Sequence, residues 1–214
     1  MQKSIDFIGR DHAFFTRIKA ELLVELARTH IGDPRTVKAL DVGCGTGETD
    51  AFLVGKLGTI EGVDVSEGVL ETARSRHPEL TYRCYDGRNL PYDARSFDLA
   101  FAICVVHHVP PAEWQEFIGE LGRVVRGGGL LVVIEHNPFN PLTQLAVSRC
   151  EFDDDAVLVR RSRVEHLVES VGLQVRDSRY IEFFPWDHRL LRRAERALTL
   201  LPLGAQYAVS AARP

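Results

Sequence analysis

Hydrophobic positions change their period along the chain. Over residues 12–29 (HAFFTRIKAELLVELART), Phe15, Ile18, Leu22, Val24 and Leu26 recur at helical spacing and predict an N-terminal helix. After Gly32-Asp33-Pro34 the period shortens: residues 37–42 read as a strand that runs into glycines, with a helix from Glu48. The alternation repeats with strands at 59–63 and 80–84 around a helix at 67–76. Residues 97–106 (FDLAFAICVV) are almost continuously apolar, as in a central parallel strand covered on both faces. Helices at 113–125 and 160–171 flank a buried strand at 129–135, and strands at 173–184 and 206–212 enclose a Leu/Arg-rich helix at 187–200.

Strand–helix alternation of this kind predicts a doubly wound α/β fold, a parallel sheet with right-handed crossovers that binds ligands at the carboxyl ends of its strands. Neither an internal repeat nor a linker interrupts it, so residues 1–214 read as a single domain. Two stretches are candidate lids. The first, 136–159, is longer than an ordinary loop and opens on Asn-Pro-Phe-Asn-Pro, which predicts a turn into a short helix from Leu142. The second, 185–204, follows Phe183 and Phe184 and includes Trp186. There Arg189, Arg192, Arg193 and Arg196 form one basic stripe opposite Leu191, Ala194, Leu198 and Leu201. A solvated face over a core is the favoured reading of that helix. The other is peripheral contact with a membrane or a lipid-linked anionic substrate.

Composition narrows the class. With 45% hydrophobic and 26% charged residues the chain can bury a sizeable core, and a net charge of -4 argues against a generic nucleic-acid binder. Its four cysteines, Cys44, Cys84, Cys104 and Cys150, show no CxxC pairing, which predicts reduced thiols in a cytoplasmic setting. No signal-peptide stretch and no run of apolar residues long enough for a spanning helix is found.

The chemistry collects at strand ends. Asp41-Val42-Gly43-Cys44-Gly45-Thr46-Gly47-Glu48 joins the first strand to its helix, with glycines that permit a tight turn and expose backbone N–H groups. A dinucleotide fingerprint would have glycine where Glu48 stands, and a carboxylate there opposes a pyrophosphate while tolerating a cationic ligand. Asp64 ends the second strand, about twenty residues on, where two carboxylate oxygens suit a ribose diol. Asp86 follows the third strand, where a carboxylate suits an adenine amino group.

The stretches ALDVGCGTGETD, GVDVSEGVLETAR, YDGRNLPYDARSFDLAFAICVVHHV and ELGRVVRGGGLLVVIEHN, in this order, resemble the class I S-adenosylmethionine-dependent methyltransferases, in particular the quinone-ring and small-molecule branch. The likeness covers most of residues 37–137, with Gly127 standing where the family usually has proline. It implies a Rossmann-like, mostly parallel seven-stranded sheet with an antiparallel last strand, and S-adenosylmethionine as cofactor. It further implies that Asp41, Gly43, Cys44, Gly45 and Gly47 hold the methionine moiety. Asp64 and Val65 would flank the ribose, Asp86 and Gly87 would meet the adenine, and Cys104 would line the floor beside the sulfonium.

Methyl transfer to a hydroxyl also requires a proton acceptor, and imidazole suits that task near neutral pH. His107 and His108 at the end of the fourth strand, and Glu135, His136 and Asn137 at the end of the fifth, are expected to border the transfer site, with His108 and His136 as catalytic candidates. Asp153, Asp154 and Asp155 read as a solvated loop, because consecutive side chains diverge, and no metal is expected. The expected activity is methylation of a small-molecule acceptor, with an oxygen nucleophile on an apolar or lipid-linked substrate. The alternatives are a macromolecular (RNA or protein) methyltransferase and a non-catalytic S-adenosylmethionine-binding protein. The acidic charge and the absence of an Asn/Asp-Pro-Pro-aromatic motif after the fourth strand disfavour the first of these.

Overall fold

The computed structural model describes residues 12–150, 153–154, 156–184, 186 and 188–214; Asp155 and Pro185 fall outside them, as do the side chains of Arg189, Arg192 and Arg196. Seven strands form one sheet: β1 (Lys38–Val42), β2 (Thr59–Asp64), β3 (Thr81–Cys84), β4 (Phe97–Ile103), β5 (Val125–His136), β6 (Gln174–Ile181) and β7 (Gln206–Ala212). Their spatial order is β3-β2-β1-β4-β5-β7-β6, with β7 antiparallel to both neighbours. Strand order reverses beside β1, which makes the gap between the carboxyl ends of β1 and β4 the switch point.

Side-chain alternation along the central strands sorts them onto two faces. Leu40, Val42, Ala100, Ala102, Leu131 and Val133 pack beneath α4 (Trp114–Val124) and α6 (Arg161–Ser170). Ala39, Leu99, Phe101, Leu130, Val132 and Ile134 pack beneath α1 (His12–His30) and α2 (Glu48–Leu53). Both faces are therefore buried, which is why β4 carries no polar–apolar alternation. The helix α3 (Glu67–Arg76) covers the β2–β3 edge through Leu70 and Ala73.

Three expected strand limits move by three or more residues, one of them the end of the strand read at 173–184, which stops at Ile181. The run 97–106 leaves the sheet after Ile103, because Cys104 adopts a φ of 56° and Glu135 Oε1 takes the N–H groups of Val105 and Val106 at 2.9 and 2.7 Å. The two histidines therefore sit on or beside a short 3-10 turn, Val106–His108, and not on the strand. β5 starts at Val125, ahead of the expected glycines, pairing Phe97 with Val125 before a register shift.

The first candidate lid holds α5 (Pro141–Val147), whose Asn140 side chain caps the N–H groups of Leu142 and Thr143. Asn137 Nδ2 donates to the carbonyls of Pro202 and Gly204, and Thr143 Oγ1 to that of Ala205, so this segment is stitched to the chain before β7. In the second, α7 (Arg189–Leu198) is rotated so that Glu195 accepts from the N–H groups of Phe183 and Phe184. Leu191 and Leu198 are half-buried as expected, but Ala194 and Leu201 are exposed, which corrects the apolar face read from the sequence. Among the described residues no helix is long and apolar enough to cross a membrane.

Candidate functional site

The loop after β1 is built on three glycines of positive φ, Gly43, Gly45 and Gly47. A Cβ on Gly47 would lie 2.5 Å from the Tyr82 hydroxyl, so this glycine is required by the strand beneath it. Gly45 differs: no atom lies within 4 Å of where its Cβ would be, and the bare backbone faces open space. The loop is fixed to β2, because Gly45 N–H donates to Asp64 Oδ2 at 2.9 Å while Asp64 Oδ1 accepts from Ser66 N–H at 3.0 Å. Asp64 thus holds the loop with one lone pair of each oxygen and keeps the remainder for a ligand.

Carboxyl groups crowd the floor of this loop. Asp41 and Asp50 are both buried, and the Asp41 carboxyl is hydrogen-bonded to Asp50, with Asp64 close enough to add its charge. Burial, the Asp50 charge and the shared hydrogen bond hold the Asp41 carboxyl well above the ordinary carboxylate range. Burial raises Asp50 to about 6, against the Tyr82 hydroxyl, which donates to its Oδ2 at 2.9 Å and favours the anion. No hydrogen-bond partner reaches Asp50 Oδ1 among the described residues. Burial and these same three aspartates push the Cys44 thiol up. A buried cluster of this sign calls for a cation, since removing carboxylates from water without a counter-charge is costly.

Glu48 contributes less than the sequence implied. Its carboxylate is exposed and lies 3.7 Å from the Arg76 guanidinium, which also donates to Thr46 Oγ1 at 3.0 Å. The buried Asp41–Asp50 pair lies beneath the same loop, a second acidic group beside the first residue of α2.

Beyond β3, Gly87 has a φ of 81° and a Cβ there would touch Val65 Cγ1 at 3.3 Å, so the exposed Val65 side chain and the Gly87 backbone form one ledge. Asp86 is turned into its own loop. It accepts from Arg88 N–H at 2.8 Å, Asn89 N–H at 2.6 Å and Asn89 Nδ2 at 3.1 Å, and these bonds hold its carboxyl down at about 2.

Across the switch point lies a cluster of imidazoles. Val105, whose Cγ2 lies 2.5 Å from where a Cβ on Gly43 would be, joins it to the glycine loop. His107 is 1% exposed; its Nδ1 lies 2.6 Å from Glu135 Oε2 and its Nε2 3.5 Å from Asp153 Oδ1. Burial pulls this imidazole down, but the hydrogen bonds to Asp153 and Glu135 and the Glu135 charge outweigh it and raise it to about 10. His108 is 38% exposed, with its Nε2 also 3.5 Å from Asp153 Oδ1. His136 sits behind, its ring 5.1 Å from that of His107. Burial and then the positive His107 lower it to about 4, and Gln206 Nε2 lies 3.3 Å from its Nδ1 and donates to Cys104 Sγ at 3.1 Å.

Several expectations are corrected. Glu135 and Asn137 do not border an open site: Glu135 is a buried brace under the 3-10 turn, and Asn137 ties β5 to the 202–204 backbone. Asp153 is not a solvated loop residue. Its side chain is 13% exposed, wedged between two histidines, whereas Asp154 is exposed as expected. The sequence reading missed Asp50, Tyr82 and Gln206. Only the acidic Asp50 one turn into α2 was a visible signal, and its partner Tyr82 lies 32 residues away.

A family model for a methyltransferase domain matches residues 40–133. A methyltransferase GfsG from Streptomyces halstedii is 32% identical over 149 residues, spanning 64% of this chain and 53% of its own. A ubiquinone biosynthesis O-methyltransferase from Coxiella burnetii is 28% identical over 68% of this chain and 67% of its own. A tRNA (carboxymethyluridine(34)-5-O)-methyltransferase from Saccharomyces cerevisiae is 34% identical over 44% and 33%. The chain spans about half, or less, of the length of the first curated relatives it matches. A crystal structure from Archaeoglobus fulgidus, described as a SAM-dependent methyltransferase, superimposes with a TM-score of 0.63 at 18% identity, covering 95% of this chain and all of that one, a likeness of fold.

Proposed function

We propose that the chain is a class I S-adenosylmethionine-dependent methyltransferase, as its methyltransferase-domain match and its relatives support, and that it methylates an oxygen nucleophile on a small, apolar or lipid-linked acceptor. The observation that carries this reading is the pairing, across one switch point, of a buried anionic floor at the glycine loop with an imidazole cluster at the ends of β4 and β5.

The residues present suit the cofactor. The proton-sharing Asp41–Asp50 pair offers buried negative charge to its ammonium and sulfonium, the open backbone at Gly45 admits a closely packed ligand, and Asp64 has lone pairs left for a diol. Val65 and Gly87 would wall the adenine, with Cys44 and Cys104 along the floor. Asp86 would contribute only the oxygen capacity its own turn leaves over. When bound, S-adenosylmethionine supplies an electrophilic methyl group on a sulfonium.

The chain's own residues would supply orientation, exclusion of water and a proton acceptor. Of the two histidine candidates, His108 is the better placed. It is accessible, and the Asp153 carboxylate beside its Nε2 would stabilise the imidazolium formed on taking the acceptor's proton. His136 stays neutral and poorly basic, suited to orienting the acceptor through its ring N–H. The segments 136–159 and 185–204 would close over the acceptor, with Phe139, Phe183, Phe184 and Trp186 as apolar walls. The exposed Leu200 and Leu203 beside α7, whose sequence is rich in arginine, favour an apolar or lipid-linked acceptor over a free polar one.

A macromolecular acceptor is the second reading, favoured by the tRNA-modifying relative and opposed by the net charge of -4. Incubation with S-adenosylmethionine and a panel of phenols, polyprenyl-linked hydroxyl compounds and total tRNA, read as S-adenosylhomocysteine formation, separates the two. Turnover with tRNA alone would overturn the small-molecule proposal.

A further inference from the structure

We propose that His107 Nε2, His108 Nε2 and Asp153 Oδ1 form a binding site for a divalent first-row transition metal of the zinc or ferrous class. Among the described residues these three donor atoms lie within 4.8 Å of one another, and each imidazole nitrogen is 3.5 Å from the carboxylate oxygen. Tetrahedral ligation with metal–ligand bonds of about 2.0–2.1 Å separates neighbouring donors by about 3.4 Å, so little movement is needed to close the set. Two imidazoles and one carboxylate are also a donor set of the right chemistry, and three protein ligands leave a position open, as in catalytic rather than structural sites.

The surroundings are those of a ligand set held in advance. A metal-bound histidine usually gives its other ring N–H to a carboxylate, which fixes tautomer and orientation. His107 does so, its Nδ1 lying 2.6 Å from Glu135 Oε2. The other Glu135 oxygen accepts from Val105 and Val106, so the brace of the ring also sets the backbone turn that carries both histidines. Asp153 arrives from a different segment, 45 residues on, yet is held in place: its N–H donates to the Cys150 carbonyl at 3.0 Å and Val157 N–H donates to the His107 carbonyl at 2.9 Å. The partial exposure of His108 leaves the open side of the set accessible.

A metal and a proton compete for His107 Nε2 and for His108 Nε2, so loading releases the proton that His107 holds between Glu135 and Asp153. In the loaded protein both imidazoles would hold the ion and His108 would not act as base; the open position would take the acceptor oxygen and lower its proton affinity, the proton passing to solvent. The role in acceptor binding rests on the proposed function; metal binding itself does not.

The test uses tag-free protein stripped with a chelator. Zn2+ titrated by calorimetry should bind at one equivalent, and Co2+ should give visible ligand-field absorption. Histidine 15N spectra should show Zn2+ perturbing the Nε2 of His107 and His108. Asp153→Asn and His108→Ala, each checked for a native circular-dichroism spectrum, should weaken Zn2+ at least about tenfold. The 15N spectra of the unmutated protein carry the test if either variant does not fold. Absence of saturable binding, affinity unchanged in both variants, or perturbation confined to other histidines would overturn the site while leaving the methyl-transfer reading intact.

Discussion

Tyr82 donates its hydroxyl to Asp50 Oδ2 at 2.9 Å, and the same hydroxyl oxygen lies 2.5 Å from the point where a Cβ on Gly47 would stand. One side chain on β3 therefore supports the acidic floor and sets the size of the last loop glycine. Tyr82→Phe removes a donor from a buried carboxyl, so it should destabilise the fold by about 1–3 kcal/mol in denaturant titration. It should also weaken S-adenosylmethionine binding, because Asp50 then ionises less readily. Unchanged stability and affinity would show that the floor does not depend on this bond.

The two conformationally demanding glycines should separate in effect. Gly47→Ala meets both an unfavourable positive φ and the Tyr82 hydroxyl, so it should lower Tm strongly with or without ligand. Gly45→Ala meets only the backbone penalty in the unliganded protein, about 1 kcal/mol, because the space around it is open. Its main consequence should be loss of S-adenosylmethionine affinity, measured by calorimetry. A Gly45→Ala protein that binds as tightly as the parent would place the cofactor elsewhere.

The Asp41–Asp50 pair makes a prediction about pH whose sign is fixed by the direction of its shifts. Both carboxyls are raised in the folded state, Asp50 to about 6, against about 3.9 in an unfolded chain. The contribution of these groups to stability is therefore fully present below about pH 4 and is lost as pH rises toward 6. Asp41→Asn keeps a donor to Asp50 and removes one ionisable group. The unliganded variant should be more stable than the parent at pH 7.5 and equal to it near pH 4, while binding S-adenosylmethionine more weakly at pH 7.5. Paired thermal scans across this range provide the check, and a stability difference that does not vary with pH would contradict the proposed proton sharing.

The segment 136–159 is anchored at both ends, by Asn137 to the 202–204 backbone and by Val159, whose carbonyl accepts the Tyr207 hydroxyl at 2.9 Å. Between these anchors α5 exposes Leu142 and Leu145 and has little buried beneath it. Amides of 141–150 should exchange faster than those of β1 and β4, and S-adenosylmethionine with acceptor should slow them more than the cofactor alone. Protection equal to the central strands without ligand would make this segment a fixed wall.

Much of this architecture was legible because its signals are local. The buried runs, the glycine loop and the acidic strand ends each occupy a few adjacent residues, and the positions of β1, β2 and α3 follow from them. Less legible was whatever depends on distant segments meeting. Nothing in Asp153-Asp154-Asp155 distinguishes the first carboxylate, which lodges between His107 and His108 where Asp153 N–H is bonded to the Cys150 carbonyl and Val157 N–H to that of His107. The end of β4 moved for a similar reason, since the groups that stop the ladder belong to Glu135 on the neighbouring strand. The apolar face of α7 was misjudged where an inward-facing Glu195 replaces the hydrophobic contact that helical periodicity suggests.

The glycine loop, closed by Asp64 and floored by Asp41 and Asp50, is proposed to hold S-adenosylmethionine. Calorimetric titration of S-adenosylmethionine into the parent protein and into Asp64→Ala at pH 7.5, with NAD as the control ligand, tests it most directly. Saturable one-to-one binding to the parent is expected, with no saturable binding of NAD and a loss of about 2–3 kcal/mol in Asp64→Ala, the scale of charge-assisted hydrogen bonds removed from a folded site. Equal affinity in parent and variant, or NAD binding as tight as that of S-adenosylmethionine, would contradict it.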